Sequence, residues 1–496
     1  MKKNVVYLLL AVTLFYGCSE DFLDPVRNTN VLTDESITDA AANNPDIIEG
    51  NLTGISGFMI DPGGITGGRH YDLGQKGIDI WSDVVSGDAA LSASTFGWYN
   101  NTANLLTTVD FTREENEIIW NYYFRVISVA NSVIQTAGGN NAGSDLDANT
   151  LRVNAQAKAY RAYAYFYLTQ FFQTAYDPAE PILPLYAIDQ VNSAKVEASV
   201  IYDLIVSDLL SAIENLDGYT RTNLSEIDTT VAQGLLAYTY AAMGDYANAK
   251  IYADAVINAG YPLMPAGELA FPGAGSGFND VASPSWVWGF DITADLGHQL
   301  LNWWGQMDYF TYSYAWAGDT KSIDDLLYSQ IPANDIRSTQ FGTGAQALQP
   351  INKFFDPGRT PGGQFVITTD YIFMRVEEFY LLSAECAART GDETTAKNRL
   401  RDLLTIRYGN VADANTYLTP LTGSALQDAI YLQTRIELWG EGKSYLAMKR
   451  NQATVTRGTN HVFRAGESFQ YDSDEMSFQI PETEIINNPN ISSQNN

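Results

Sequence analysis

One spacing of small residues occurs twice in this chain. Ala237, Ala241, Gly244, Asp245 and Ala249 recur at identical offsets as Ala384, Ala388, Gly391, Asp392 and Ala396. In each copy an apolar segment of helical period runs up to Gly-Asp, and a second begins just after it. Alanines let two helices approach closely, and a glycine at the end of a helix takes the left-handed conformation that turns the chain. Two copies in register therefore constrain the chain to stacked helix pairs. Apolar residues at 3.6 spacing predict further helices over about 148–173, 199–215, 229–243, 245–259, 373–390, 393–407 and 424–438. Another is predicted from a capping box at Thr112, with Glu115 three residues on, to about Ala137, stopping at Gly138-Gly139.

The repeated unit resembles the tetratricopeptide repeat, without that family's large aromatic residue at the start of the unit. The expected fold is mainly α: a helical, tetratricopeptide-like repeat scaffold with long irregular, loop-rich insertions. The clearest insertion runs over about 261–320. It holds Pro262, Pro265, Pro272 and Pro284, and the glycines 273, 275 and 277. Five of the nine tryptophans also fall there: Trp286, Trp288, Trp303, Trp304 and Trp316. Residues 50–111 are similar, first glycine-rich and then polar and aromatic around Trp81, Trp98 and Tyr99. Long irregular segments inside a folded chain are usually functional, and this aromatic content argues against disorder.

Charge narrows the partners. The formal net charge is -29, from 58 acids against 29 bases. Such a field repels phosphate backbones, so nucleic acid is not expected as a partner. The start of the chain reads as an address. Lys2 and Lys3 precede an apolar run, Val5 to Tyr16, that is too short to span a membrane and ends at Gly17-Cys18. Residues 1–17 are expected to be a lipoprotein signal peptide, with Cys18 the lipidated residue. Phe15 and Tyr16 depart from the usual residues before such a cysteine. The acidic run Ser19-Glu20-Asp21-Phe22-Leu23-Asp24 follows. The other cysteine, Cys386, lies in a helical segment and is expected to be buried as a small apolar group.

Four separated segments are similar to the SusD/RagB family. They are Cys18 to Asp24; Ala159 to Leu168 with Pro181-Ile182-Leu183-Pro184-Leu185; Arg375 to Glu385; and Arg435 to Lys443, completed by Phe478 to Ile485 and Asn488-Pro489-Asn490. The family usually has Arg where this chain has Lys443, and a different tail from Ser493-Gln494-Asn495-Asn496. The resemblance implies a surface-exposed lipoprotein anchored to the outer membrane. It would capture an oligosaccharide and deliver it to a partner SusC-like TonB-dependent transporter, without enzymatic activity or a cofactor. It also implies an N-terminal region over 18–230 with the first helical repeats, and a C-terminal region over 231–496 carrying further repeats and the aromatic insertion. Peptide capture on the same scaffold is an alternative, and a surface glycoside hydrolase is another. Glu377, Glu385, Arg435 and Glu437 sit on otherwise apolar helices, and buried charges of this kind must be paired.

Motifs for catalysis are sparse. His70, His298 and His461 are widely separated, so no metal site is expected. Gly342 to Ala347 fits G-x-G-x-x-A on paper, but follows no apolar strand and is cut off by Pro350. Asp472, Asp474 and Glu475 read as a solvated acidic turn. A glycan site needs flat aromatic platforms beside fixed polar groups. Two segments offer that mix: Arg69, Asp72, Trp98, Tyr99 and Asn101, and Trp303, Trp304, Tyr309, Tyr312, Tyr314 and Trp316. They are expected to meet on one face. Any single aromatic here is more readily core than platform. Trp98 to Asn101 and Tyr312 to Trp316 are the strongest candidates, because small and polar residues surround them.

Overall fold

Helices form over the windows that the periodicity marks. The computed structural model describes residues 46–143, 146–186 and 192–495, so the expected signal segment and Cys18 lie outside the described residues. The helices of eight residues or more are α1 (Asp46–Ile60), α2 (Gln75–Val85), α3 (Glu114–Thr136), α4 (Ala148–Phe172), α5 (Ala198–Asn215), α6 (Thr229–Ala242), α7 (Tyr246–Asn258), α8 (Val376–Arg389), α9 (Glu393–Arg407), α10 (Val411–Leu418) and α11 (Gly423–Glu437). From α3 to α9 each helix packs on the next, and α10 and α11 close the row against α9 and α8. Residues Ile48–Asn496 form one unit by their contacts. Among the described residues, no helix is long and apolar enough to cross a membrane.

The repeated spacing is one turn built twice. Gly244 (φ 78°) and Gly391 (φ 85°) take the left-handed conformation that ends the first helix of each pair. Asp245 and Asp392 then cap the second helix, accepting from the Asn248 and Thr395 amides at 3.1 and 3.0 Å. The two pairs lie side by side, α7 against α8, although residues 259–375 separate them in sequence. Asp254 on α7 ties them together. Its carboxylate accepts from Ser383 Oγ on α8 at 2.6 Å and from Arg399 on α9 at 2.9 Å.

Two expectations fail at helix starts. Thr112 does not cap α3, because its hydroxyl is taken by Asp110 at 2.6 Å; Arg113 occupies the cap position instead. Glu114, Glu115 and Glu117 still place negative charge at the positive end of the helix dipole. The window at 373–390 begins as a strand. Tyr371–Arg375 (β4) pairs antiparallel with Trp286–Phe290 (β2), and helix α8 starts only at Val376. An apolar run buried on every side has no period to separate strand from helix. Two further strands matter to the site: Ala89–Leu91 (β1) pairs antiparallel with Lys321–Ile323 (β3). Helices α1, α2 and α10 were not expected.

A network of buried charge joins the segment between β3 and β4 to the scaffold. Glu437 on α11 accepts from Arg407 at 2.6 Å, Arg375 at 2.8 Å and Arg337 at 3.0 Å. Arg375 also reaches Glu441 at 2.7 Å and Glu377 at 3.2 Å, and Lys353 pairs with Glu441 at 2.8 Å. Asp335 completes the set at 2.6 Å from Arg337. All eight side chains are buried, so each charge depends on its partners. The expected pairing of the motif charges is met outside this network too. Glu385 takes Arg450 at 3.1 Å, Arg435 takes Asp88 at 2.6 Å, and Lys443 lies 3.5 Å from Glu378. Cys386 is buried on α8, where burial pushes its thiol well above the usual range.

Candidate ligand-binding ledge

Four loop segments are held together by carboxylates and short-range caps. Asp72 gathers the glycine-rich loop before it, accepting from the Ile65 and Thr66 amides at 3.0 and 2.7 Å and from Thr66 Oγ1 at 3.0 Å. This presents Arg69 and His70. The β1–β3 pairing sets residues 92–101 beside 311–320, and Asp319 fastens them by accepting from the Thr95 amide and from the Phe96 amide at 2.8 Å. Ser313 caps the short helix Tyr314–Ala317, accepting from Trp316 N at 2.9 Å. The fourth segment joins when Tyr312 N donates to Gln364 O at 2.8 Å. Trp316 then lies over Gly362. A Cβ there would sit 2.7 Å from the indole, so glycine is what lets the ring lie flat against this backbone.

The result is two clusters of rings with members open to solvent. His70 stacks on Trp98 with centroids 4.9 Å apart and planes 7° apart. Trp98 and Phe96 meet Tyr314 at 6.0 and 5.3 Å. Tyr312 meets Trp316 at 6.0 Å and Phe365 at 5.4 Å. Phe96, Phe365, Trp316 and Tyr312 are 55%, 53%, 43% and 41% exposed, which is unusual for side chains this large unless a partner covers them. The two segments singled out in the sequence thus meet through Trp98 and Tyr314.

Not every expected contact reaches the surface. Trp303 and Trp304 are buried, perpendicular to each other at 5.0 Å, and Trp303 packs edge-on against Phe354 at 5.0 Å; they are core. Tyr99 is buried beneath the ledge, and Asp72 is buried as the organiser of its loop. Tyr314 is largely buried and offers only its edge, while Trp98, Tyr309 and Asn101 are half-buried. Arg69 is exposed but held by Glu114 at 3.0 Å, and Asn101 donates to Glu115 at 3.1 Å. The structure adds His70, Phe96 and Phe365, which sequence reasoning missed. Phe365 follows Gly362-Gly363-Gln364, a small and polar setting of the kind that marked Trp98.

A buried lysine supports the ledge from below. Lys321 lies 4.7 Å from the Tyr99 ring centroid and donates to Gln306 Oε1 at 2.9 Å. Gln306 in turn donates to the His70 carbonyl at 2.7 Å. Burial brings the Lys321 amine down to about 7. Its folded value is below its unfolded one, so the unfolded chain binds the proton more tightly and this group favours folding more as pH rises from 7. Lys321→Met is expected to flatten that rise. Urea unfolding of both proteins at pH 7 and pH 9 checks it, and an unchanged pH difference refutes it. His70 is also lowered by burial, and its Nδ1 pairs with the Tyr314 hydroxyl, so a neutral imidazole faces Trp98 at pH 7.

Two grooves lie away from the ledge. A groove of about 520 Å³ is lined by Ile60, Leu224, Phe290 and Leu296, and another of about 200 Å³ by Gln170, Tyr176, Tyr202 and Lys449. Neither gathers exposed rings as the ledge does. Comparison with known proteins follows the fold. Residues 320–496 match the model of the SusD family. A SusD-like protein of Bacteroides ovatus is 24% identical over 291 residues. That match covers 53% of this chain and 46% of the relative, so the chain spans about half the length of that curated protein. Over these stretches the chain is similar to the SusD family. Its fold is shared by a SusD-like carbohydrate binding protein from Bacteroides vulgatus, with a TM-score of 0.75 at 23% identity over 90% of this chain and 96% of that one. A surface glycan-binding protein A from Bacteroides uniformis shares the SusD-like fold with a TM-score of 0.64 at 16% identity, over 91% and 99% of the two chains.

Proposed function

We propose that this SusD-like chain is a glycan-binding lipoprotein of the cell surface, anchored through Cys18 to the outer membrane, that captures oligosaccharide and hands it to a partner TonB-dependent transporter. The observation that carries the reading is the exposure of Phe96, Tyr312, Trp316 and Phe365, with Trp98 and His70 stacked near Phe96. Sugar rings present C–H faces that lie on such rings, and rigid aromatics bring contact area at little entropic cost. Several rings are offered, which suits a chain of sugars better than one. Capture rather than cleavage is supported by the most perturbed acid nearby. Asp308 is raised to about 7 by burial, but both its oxygens are engaged, by the Phe310 and Asp356 amides at 2.9 Å and by Thr311 Oγ1 at 2.7 Å. The anchor, the transporter and the N-terminal and C-terminal division at about residue 230 rest on the motif resemblance.

The test is calorimetry of the full chain in a non-glycosidic detergent against oligosaccharides and peptides, with product analysis after long incubation. Saturable binding of one glycan class without cleavage is expected. Peptide binding alone would replace the ligand and keep the scaffold, and cleavage of the bound sugar would defeat the capture reading.

A further inference from the structure

We infer that the ledge selects a neutral glycan and rejects one bearing carboxylates; this rests on the glycan-binding reading above. The argument is a census of charge on the four segments that build the ledge. Around His70 the cation is Arg69, paired with Glu114 at 3.0 Å through an oxygen that also takes the Tyr71 hydroxyl at 2.7 Å. Residues 94–101, which carry Phe96 and Trp98, contain no acidic or basic side chain. The segment around Tyr312 and Trp316 contributes Asp308, Asp319 and, beneath the surface, Lys321. Asp319 holds the Thr95 and Phe96 amides with one oxygen, and its other oxygen is buried without a hydrogen-bond partner. The segment around Phe365 contributes Asp356, Arg359 and Asp370.

Arg359 is the cation best placed by sequence to meet an acidic sugar, and the fold commits it elsewhere. Its guanidinium lies 3.8, 4.2 and 4.5 Å from the ring centroids of Phe271, Phe310 and Phe355. It donates to Ile351 O at 2.9 Å and to Asn352 Oδ1 at 3.0 Å. Lys321 is enclosed under Tyr99 and satisfied by Gln306. Among the described residues of these segments, Arg359 and Lys321 are therefore spent on protein partners and the exposed Arg69 is balanced by Glu114, while Asp319 keeps an unpaired acceptor. A ligand carboxylate laid on the rings would lose water and gain no cation, which is the costly case for a charge. A hydroxyl loses far less and finds neutral donors and acceptors in Thr95, Thr360 and Gln364. The formal net charge of -29 adds a long-range repulsion of the same sign, though at 0.15 M salt it is screened beyond about 8 Å.

The experiment sets neutral polysaccharides (xylans, mannans, α-glucans, β-glucans and galactans) against the same backbones carrying carboxylates, introduced by oxidation at C6 or, for xylan, as glucuronate branches. The full chain in a non-glycosidic detergent is titrated with each pair by calorimetry at 0.15 and 0.5 M NaCl. At least one neutral polymer is expected to bind, with its carboxylated form at least tenfold weaker at both salt concentrations, because the local term is not screened away. Equal or tighter binding of a carboxylated form overturns the selectivity while leaving glycan capture standing. Binding of neither form of any polymer overturns glycan capture itself, and the inference with it. Trp316→Ala serves as the site control: loss of the neutral ligand in that variant places the selectivity on this ledge, and undiminished discrimination there removes it.

Discussion

Glu437→Gln is expected to lower the free energy of unfolding by about 3–5 kcal/mol, the cost of breaking a buried ion network from one side. Glu437 is buried and accepts from Arg337, Arg375 and Arg407 at once, so the amide leaves three guanidinium groups short of charge. Glu441 and Glu377 offset part of this for Arg375, and Asp335 does so for Arg337. Arg407 has Glu377 at a longer 3.3 Å. Urea unfolding of both proteins at pH 7 measures the difference, and a loss below about 1 kcal/mol would show the network to be dispensable. The pH dependence has a definite sign. The three guanidinium groups hold the Glu437 carboxyl well below the usual range, against the opposing effect of its burial. Its folded value lies under its unfolded one, so its contribution is fully present above the ordinary glutamate range and is lost as pH falls through the folded value. The gap between wild type and variant should therefore hold from pH 7 to pH 5 and close only in stronger acid.

Trp316→Ala is expected to weaken glycan binding by about thirtyfold or more, corresponding to roughly 2 kcal/mol for a central aromatic contact. The melting temperature should change little, because Trp316 is 43% exposed and its backbone is held independently by the Ser313 cap. Tyr312→Ala should lose less, since Phe365 still flanks the gap it leaves. The control lies in the core: Trp304→Ala should destabilise the fold by about 3–5 kcal/mol, and any loss of binding there follows unfolding. Calorimetry and thermal melts on the same preparations separate the two cases. Undiminished affinity in Trp316→Ala would remove the ledge as the site.

The two tryptophan positions also show what could be read in advance. Trp304 and Trp316 share one irregular segment, and their neighbourhoods are similar in composition. One becomes core because Phe354 meets it from a distant position; the other becomes surface because Gly362 arrives beneath it. No local period encodes either meeting. The helix pairs were legible because their determinants are local: a glycine at the turn, an aspartate at the cap, alanines at the contact. The pairing of Glu437 with arginines was legible as a need, a buried charge on an apolar helix, but not as a set of partners. Arg337 comes from the irregular segment between β3 and β4, where nothing in the pattern ties it to α11. Phe365 escaped notice because a lone phenylalanine among small residues carries the same signal as Trp98 with less weight.

The side-by-side setting of the two helix pairs has a consequence for how the chain reaches this structure. Helices α8 to α11 are neighbours in sequence as well as in space, so their contacts close over short loops and form early. The contact of α7 with α8 must close over residues 259–375, and loop entropy grows with the logarithm of that length. The buried charge network brings Asp335, Arg337 and Lys353 to the helices from inside that loop. The ledge sets residues 65–101, which precede the loop, against 311–365 inside it, so its rings meet across longer separations than neighbouring helices do. A chain halted before this step would display stacked helices and helical circular dichroism, yet offer a ligand no surface at all.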